Sequence, residues 1–166
     1  MLVLSDARDG LRAVDWADYE TRMHTLLRRQ YRQDAVRVTD AARVSPASRG
    51  LQAYFEGEVD AIDRLPVASG GTDFQRQVWR ALRDIAAGDT VSYGTLAVRI
   101  GRARAVRAVG LANGANPVGI VVPCHRVVGA DGSLTGYGGG LHRKRWLLAH
   151  EGRWRAARDS LSAQAA

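Results

Sequence analysis

The chain has 166 residues, 46% apolar and 25% charged, enough to bury the core of one ordinary domain or two small ones. Its net charge of +7 comes almost wholly from arginine, with Lys144 the single lysine. That makes an anionic polymer a candidate partner, beside the plainer reading of solubilising surface charge. One cysteine excludes an intramolecular disulfide and a cysteine-rich metal site. No apolar run approaches the roughly 18 residues of a membrane span, and Met1 to Trp16, with three aspartates, lacks a signal peptide's apolar segment, so the expected compartment is the cytoplasm.

In chain order, Leu2–Ser5 and Leu11–Trp16 read as short strands around Asp9-Gly10. A helix over Asp18–Arg32 follows, with Tyr19, Met23, Leu26 and Leu27 on one side. Ser45-Pro46 is an N-cap followed by proline at the first helical position, so a second helix runs to Glu56 and stops at Gly57, burying Leu51, Tyr54 and Phe55. Residues 1–65 carry no chemical signature and read as a supporting domain, with residues 66–71 as a linker. Thr72 and Gln75 form a capping box. The helix they open should bury Phe74, Val78, Leu82 and Ile85 and end before Gly88.

Ser92 caps a short helix to Ile100, broken by Gly101, and a second runs from Arg104 to Ala112, closing on Asn113-Gly114. This is a helix-turn-helix pattern, a weak signal by itself. Ala105, Ala108 and Ala112 should share one face, with Arg104, Arg107 and Leu111 on the next. Such a helix either packs tightly on a neighbour or lies in a DNA groove. Val118–Val122 reads as a buried strand that delivers Cys124. Val127-Val128 and Ser133–Thr135 flank an Asp131-Gly132 hairpin turn. Tyr137, set among four glycines from Gly136 to Gly140, suggests a pocket wall. A last helix, Leu141–His150, should end near Glu151-Gly152, with residues 153–166 a frayed tail.

The chemistry concentrates at Pro123-Cys124-His125-Arg126-Val127. A thiol is a useful nucleophile only as thiolate, and here a base follows it directly while Arg126 adds a fixed charge. The bland alternative is a small buried hydrophobe. Neighbours in an extended strand point to opposite sides, so His125 would reach Cys124 through a bridging water. A carboxylate on the far side of the imidazole would fix its tautomer. Glu151 is the first candidate; Asp131 is the second, being committed to its turn.

PCHRV, the preceding RAVGLANGANP, the following GYGGG and the closing WLLAHEG resemble the O6-alkylguanine-DNA alkyltransferases over about Gly71 to Gly152. LRAVDW, LQAYFEGE and the LP…GGT linker resemble the bacterial members without a fused regulatory domain. The resemblance implies an α/β (α+β) fold: a small ribonuclease-H-like N-terminal antiparallel sheet with helices, and a mainly helical, winged-helix-like C-terminal domain over 72–152 that holds the helix-turn-helix. Only a short segment precedes LRAVDW, so the sheet is expected to lack the family's first strand and its hairpin partner.

Roles follow from the same resemblance. Cys124 would accept the alkyl group of O6-alkylguanine, with O4-alkylthymine a further candidate substrate, in a single irreversible turnover. His125 and Glu151 would activate it through water, and Asn116 would buttress the turn. Tyr93 would press on the target phosphate and Arg107 would enter the base stack, while Arg104, Ala105, Ala108 and Gly110 would meet the minor groove. The carbonyls of Cys124 and Val127 would read the guanine amino group, and the Gly138 amide would bond O6. Pro123 and Tyr137 would wall the pocket, with Lys144 near its rim. The implied partner is double-stranded DNA, bound by a protein monomeric in solution that could cluster along it. No membrane and no cofactor are implied. Some relatives carry zinc in the first domain, but no cysteine lies there in this chain, so no metal is expected. The family usually has proline at Ala103 and alanine at Val106. The competing readings are a lesion-recognition protein without transfer activity and a turnover cysteine hydrolase.

Overall fold

The structure, a computed structural model, describes residues 1–31, 37–41 and 43–164. It opens with an antiparallel hairpin of β1 (Leu2–Ser5) and β2 (Leu11–Asp15), in register Leu2↔Asp15 and Leu4↔Ala13. The turn forms because Asp6 accepts the amides of Arg8 and Gly10 at 2.9 and 3.0 Å, which lets Asp9 take φ 60°. β1 occupies one edge of β2. The other edge serves two distant segments: Leu11 exchanges bonds with Pro66 and Ala68, both 2.8 Å, and Val14 with Pro117 and Gly119, both 2.9 Å. The expected linker thus runs as a strand-like neighbour of β2, and the segment leading to Cys124 lies on the same edge.

A 3₁₀ turn at Ala17–Tyr19 leads into α1 (Glu20–Gln30), which buries Met23, Leu26 and Leu27; the expected last residue, Arg32, lies outside the described residues. α2 (Pro46–Glu56) starts on the Ser45 side chain, which accepts the Ser48 amide at 3.0 Å, and stops at Gly57, whose φ of 113° favours glycine. α3 (Asp73–Arg83) has the full Thr72–Gln75 capping box. β3 (Val91–Ser92) passes directly into α4 (Tyr93–Arg99), capped by Ser92, and Gly101 at φ 70° ends it. α5 (Val106–Gly114) completes the helix-turn-helix; it starts two residues later than the sequence suggests, after a turn closed by the Ala105 amide on the Arg102 carbonyl at 2.7 Å.

Two expectations need correction beyond that start. Val127-Val128 forms a strand, β4, but pairs parallel with β3 rather than in a hairpin with Ser133–Thr135. The Asp131-Gly132 turn is present, closed by Gly129 on Ser133 at 2.8 Å, without a ladder beyond it. The last helix, α6 (Leu141–Gln164), does not stop at His150 but continues through Gly152 and most of the expected tail. Trp154 packs that extension against the core of the body, and Arg155 pairs with Asp89 beside it.

One buried cluster runs through both halves, from Leu11, Val14, Leu51 and Tyr54 to Val78, Leu82, Val109, Val118 and Leu147. Among the described residues no helix is long and apolar enough to cross a membrane.

Candidate active site

The apolar run Val118–Val122 is buried as expected but is not a strand. The Asn116 side chain curls it into turns: its Oδ1 accepts the Val118 amide at 3.0 Å and its Nδ2 donates to the Val122 carbonyl at 2.8 Å. Val122 also donates to Val118, and Ile120 sits at φ 68°. A single buried amide therefore replaces the ladder a strand would need. Cys124–His125–Arg126 then forms one 3₁₀ turn. With about three residues per turn, neighbouring side chains splay around the axis rather than to opposite faces.

That turn aims three side chains at three tasks. Cys124, 7% exposed, lines a cavity of about 290 Å³. His125 is fully buried, with Nε2 2.8 Å from Glu151 Oε1. Arg126 does not face the sulfur: its Nε and Nη2 grip both Glu151 oxygens at 2.8 Å, and Nη1 donates to the Ile85 carbonyl at 2.6 Å. Glu151 further accepts the Tyr54 hydroxyl at 2.8 Å and the Gly88 amide at 3.3 Å. Burial alone would raise its pKa, but the bonds and charges of His125 and Arg126 hold it well below the usual carboxylate range. An ionised Glu151 accepts a hydrogen bond from His125 Nε2–H, so Nδ1 keeps its lone pair; that atom is buried and makes no hydrogen bond within the described residues. Burial, only partly opposed by Glu151, depresses the His125 pKa and keeps the ring neutral.

Burial likewise pushes the Cys124 thiol up, while the Asn116 side chain and then the charges of Arg22 and Lys144 pull it back. Lys144 is not at an open rim. It is fully buried, donating to the carbonyls of Val127 at 2.6 Å and Thr135 at 2.7 Å, which pins the glycine loop to the Cys124 turn. Pro123 and Val127 are buried beside Cys124 without lining the cavity, whereas Asn116, Tyr137 and Gly138 do line it.

Tyr93 and Gly110 also line the cavity, and a methyl added at Gly110 would meet the Tyr93 ring at 3.9 Å. The parallel β3–β4 pair fixes Tyr93 relative to the Cys124 turn. The faces of α5 differ from those expected. Val109, Ala112 and Asn113 are buried, Trp79 Nε1 donating to the Ala112 carbonyl at 2.8 Å. Arg104, Arg107 and Ala108 are exposed, Ala105 and Gly110 half-buried, and Leu111 is 78% exposed. Val106, one of the two departures from the family pattern, lies on this open surface. The packing reading holds for one side, which lies on α3; the other is a basic, small-residue face left exposed among the described residues.

The first half supplies residues that no local motif announced. Asp15, Trp16 and Arg22 line the Cys124 cavity, and Tyr54 holds Glu151. Asp15 and Trp16 close LRAVDW and Tyr54 sits in LQAYFEGE, the two segments that carry the resemblance into this half, while Arg22 lies in neither.

A family model described as "6-O-methylguanine DNA methyltransferase, DNA binding domain" matches residues 73–153. Over 150 residues, 90% of this chain and 88% of the relative, the chain is 51% identical to the methylated-DNA–protein-cysteine methyltransferase of Shigella flexneri. It is 40% identical to that of Haemophilus influenzae over 91% of this chain and 79% of that one. Among solved structures, Mycobacterium tuberculosis OGT in complex with DNA superposes with a TM-score of 0.73 at 39% identity, covering 92% of each chain. The similarity spans both halves, including the segments that wall the cavity and those that carry Cys124, and it places the chain in the methylated-DNA–protein-cysteine methyltransferase family.

Proposed function

We propose that this protein repairs O6-alkylguanine in duplex DNA by moving the alkyl group onto Cys124, once per molecule. What carries the reading is the arrangement of Cys124: a thiol on the wall of a cavity that opens to solvent, one residue from a neutral, carboxylate-held imidazole with a free lone pair. The thiol proton passes through one water to His125 Nδ1, and Glu151 stabilises the imidazolium that results. The thiolate attacks the alkyl carbon, the carbon–oxygen bond breaks and its electron pair moves to O6; the guanine anion that leaves takes a proton from water, and the His125 imidazolium returns its proton to water. The Gly138 amide bonds O6 in this pose. The thioether does not hydrolyse, so each molecule acts once.

A base inside a duplex cannot reach a buried thiol, so the nucleotide turns out of the helix at a cost of a few kcal/mol. The exposed side of α5 supplies the offset. Its small residues enter the minor groove, Arg107 fills the vacated stack, and Tyr93, beside Gly110 at the cavity, presses the phosphate round. Neutralised phosphates release counterions, so binding weakens steeply with salt.

Incubation with an O6-methylguanine duplex and intact-mass measurement tests this. One methyl group should be added per chain and none to Cys124→Ser. Tight binding without a mass change would favour lesion recognition alone, and repeated product release from an unmodified protein would favour a hydrolase. An O4-methylthymine duplex in the same assay shows whether that lesion is also a substrate.

A further inference from the structure

Arg22 has contacts that suit neither a surface arginine nor a DNA-facing one. It projects from α1, in the half of the chain that holds no reacting group. Asp15, 4% exposed, accepts Nη1 at 2.6 Å, while Nη2 donates to the carbonyls of Gly114 at 3.2 Å and Asn116 at 3.4 Å. Those carbonyls lie where α5 ends and the turn toward Cys124 begins. The guanidinium also lies against Gly138: a methyl group built there would overlap Cζ, Nε and Nη2. One planar group therefore touches both walls of the cavity, the Asn116 turn and the glycine loop, and lines the cavity itself.

We propose that Arg22 is a positioning residue for alkyl transfer, fixing the spacing between the Cys124 turn and the Gly138 wall while directing a positive charge toward the thiol. The proposal rests on the transfer reading above. In that reaction sulfur, alkyl carbon and O6 lie in line, so the distance between the sulfur's turn and the wall that bonds O6 is the reaction distance. Small errors in such a distance are costly. Only a fork with several fixed N–H directions spans an acid and two carbonyls at once; an ammonium supplies the charge without the geometry. The charged or titratable groups around the sulfur are Arg22, Asp15 and the amino terminus at Met1 from the first half, Lys144 from α6, Tyr137 from the glycine loop and His125 next in the chain. Lys144 is already held by two carbonyls, so Arg22 is the side-chain cation that the first half adds.

Transfer from free O6-benzylguanine needs no DNA and isolates the pocket. Its rate, followed by intact mass across pH, is compared for the wild type, Arg22→Ala and Arg22→Lys, with melting temperatures beside it. Arg22→Ala should be slower by roughly tenfold to a hundredfold, and the limb of the profile that reports thiolate formation should move to higher pH. Arg22→Lys should return the limb toward its wild-type position and leave the rate low; it carries the test alone if the alanine variant does not fold. An Arg22→Ala protein with the wild-type rate overturns the proposal. So does a slow one whose limb stays in place, or an Arg22→Lys protein as fast as the wild type. If the wild type takes no methyl group from an O6-methylguanine duplex, the transfer reading fails and this proposal falls with it; if it takes methyl but no benzyl group, the same variants are compared on that duplex, and an Arg22→Ala protein that matches the wild type overturns only the role of Arg22.

Discussion

The two halves of the molecule serve Cys124 differently. From Asn116 to Glu151 the chain supplies every group expected to handle the proton or the alkyl carbon, on one turn, one glycine loop and one helix. The first half supplies none, yet it touches the site through the edge of β2 on the Pro117–Gly119 backbone, Asp15 and Trp16 on the cavity wall, Arg22 on the Asn116 turn and Gly138, and Tyr54 on Glu151. Reactivity is thus concentrated in a contiguous segment, while its geometry is set by backbone and single side chains far away in sequence.

The largest expected effect lies within the reactive half. Glu151→Gln removes the charge that faces Arg126, leaving a buried guanidinium uncompensated; breaking such a pair costs about 3–5 kcal/mol. The amide also no longer favours the His125 tautomer with a free Nδ1, so alkylation should slow by roughly a hundredfold or more. DNA affinity by gel shift should stay near the wild type, because α5 is untouched. An unchanged transfer rate would remove Glu151 from the relay.

This asymmetry also explains what could be read from the sequence. Caps, breaks and periodicity are local, so α2 and α3 appear with the residues that Ser45, Gly57, Thr72 and Gln75 mark. The Cys124 motif and Glu151 were legible for the same reason: residue types and spacing carry the chemistry. The strand expected at Val118–Val122 failed because burial says nothing of which groups pair the backbone, and there Asn116 does. The hairpin at Val127-Val128 failed because β4 takes β3 as its partner, a choice that no local pattern encodes. Gly152 looked like a helix end, but α6 continues because Trp154 and Arg155 find partners in distant segments. Arg22 and Tyr54 stayed silent for that last reason. Each is an ordinary helical residue until the other half of the fold is in place.

A second, smaller effect separates the DNA face from the pocket. Arg107→Ala should slow repair of duplex DNA by roughly tenfold or more, since the vacated stack is left unfilled, and should barely change reaction with free O6-benzylguanine. Equal losses on both substrates would contradict an arginine in the stack. Tyr54→Phe tests the opposite half more gently. It removes one of five bonds to Glu151, and a hydrogen bond to a charged group contributes about 1.5–3 kcal/mol. His125 and Arg126 still hold the carboxylate, so transfer should slow only several-fold while the melting temperature falls. A wild-type rate would confine the role of Tyr54 to packing.

The smallest effect is a pH dependence whose sign differs between the halves. His125 has its native pKa depressed by burial below the ordinary 6.5, with Glu151 opposing only in part. Its contribution to stability is fully present above pH 6.5, where neither state is protonated. As pH falls below that value the unfolded chain takes up a proton that the native ring refuses, and stability drops until the native pKa is passed. Glu151 adds a second loss lower down, below its ordinary 4.5, as the unfolded carboxylate protonates and the native one stays ionised. Asp63, in the first half, runs the other way: burial raises its pKa above 3.8, so what it contributes is present below that value and lost as pH rises through the native pKa. Melting temperature followed from pH 8 downward should begin to fall near 6.5, and His125→Gln should flatten that first stretch while leaving the decline below 4.5. A first stretch that survives the substitution would mean that His125 takes up its proton in the native state, and an imidazole already charged could not accept one from Cys124.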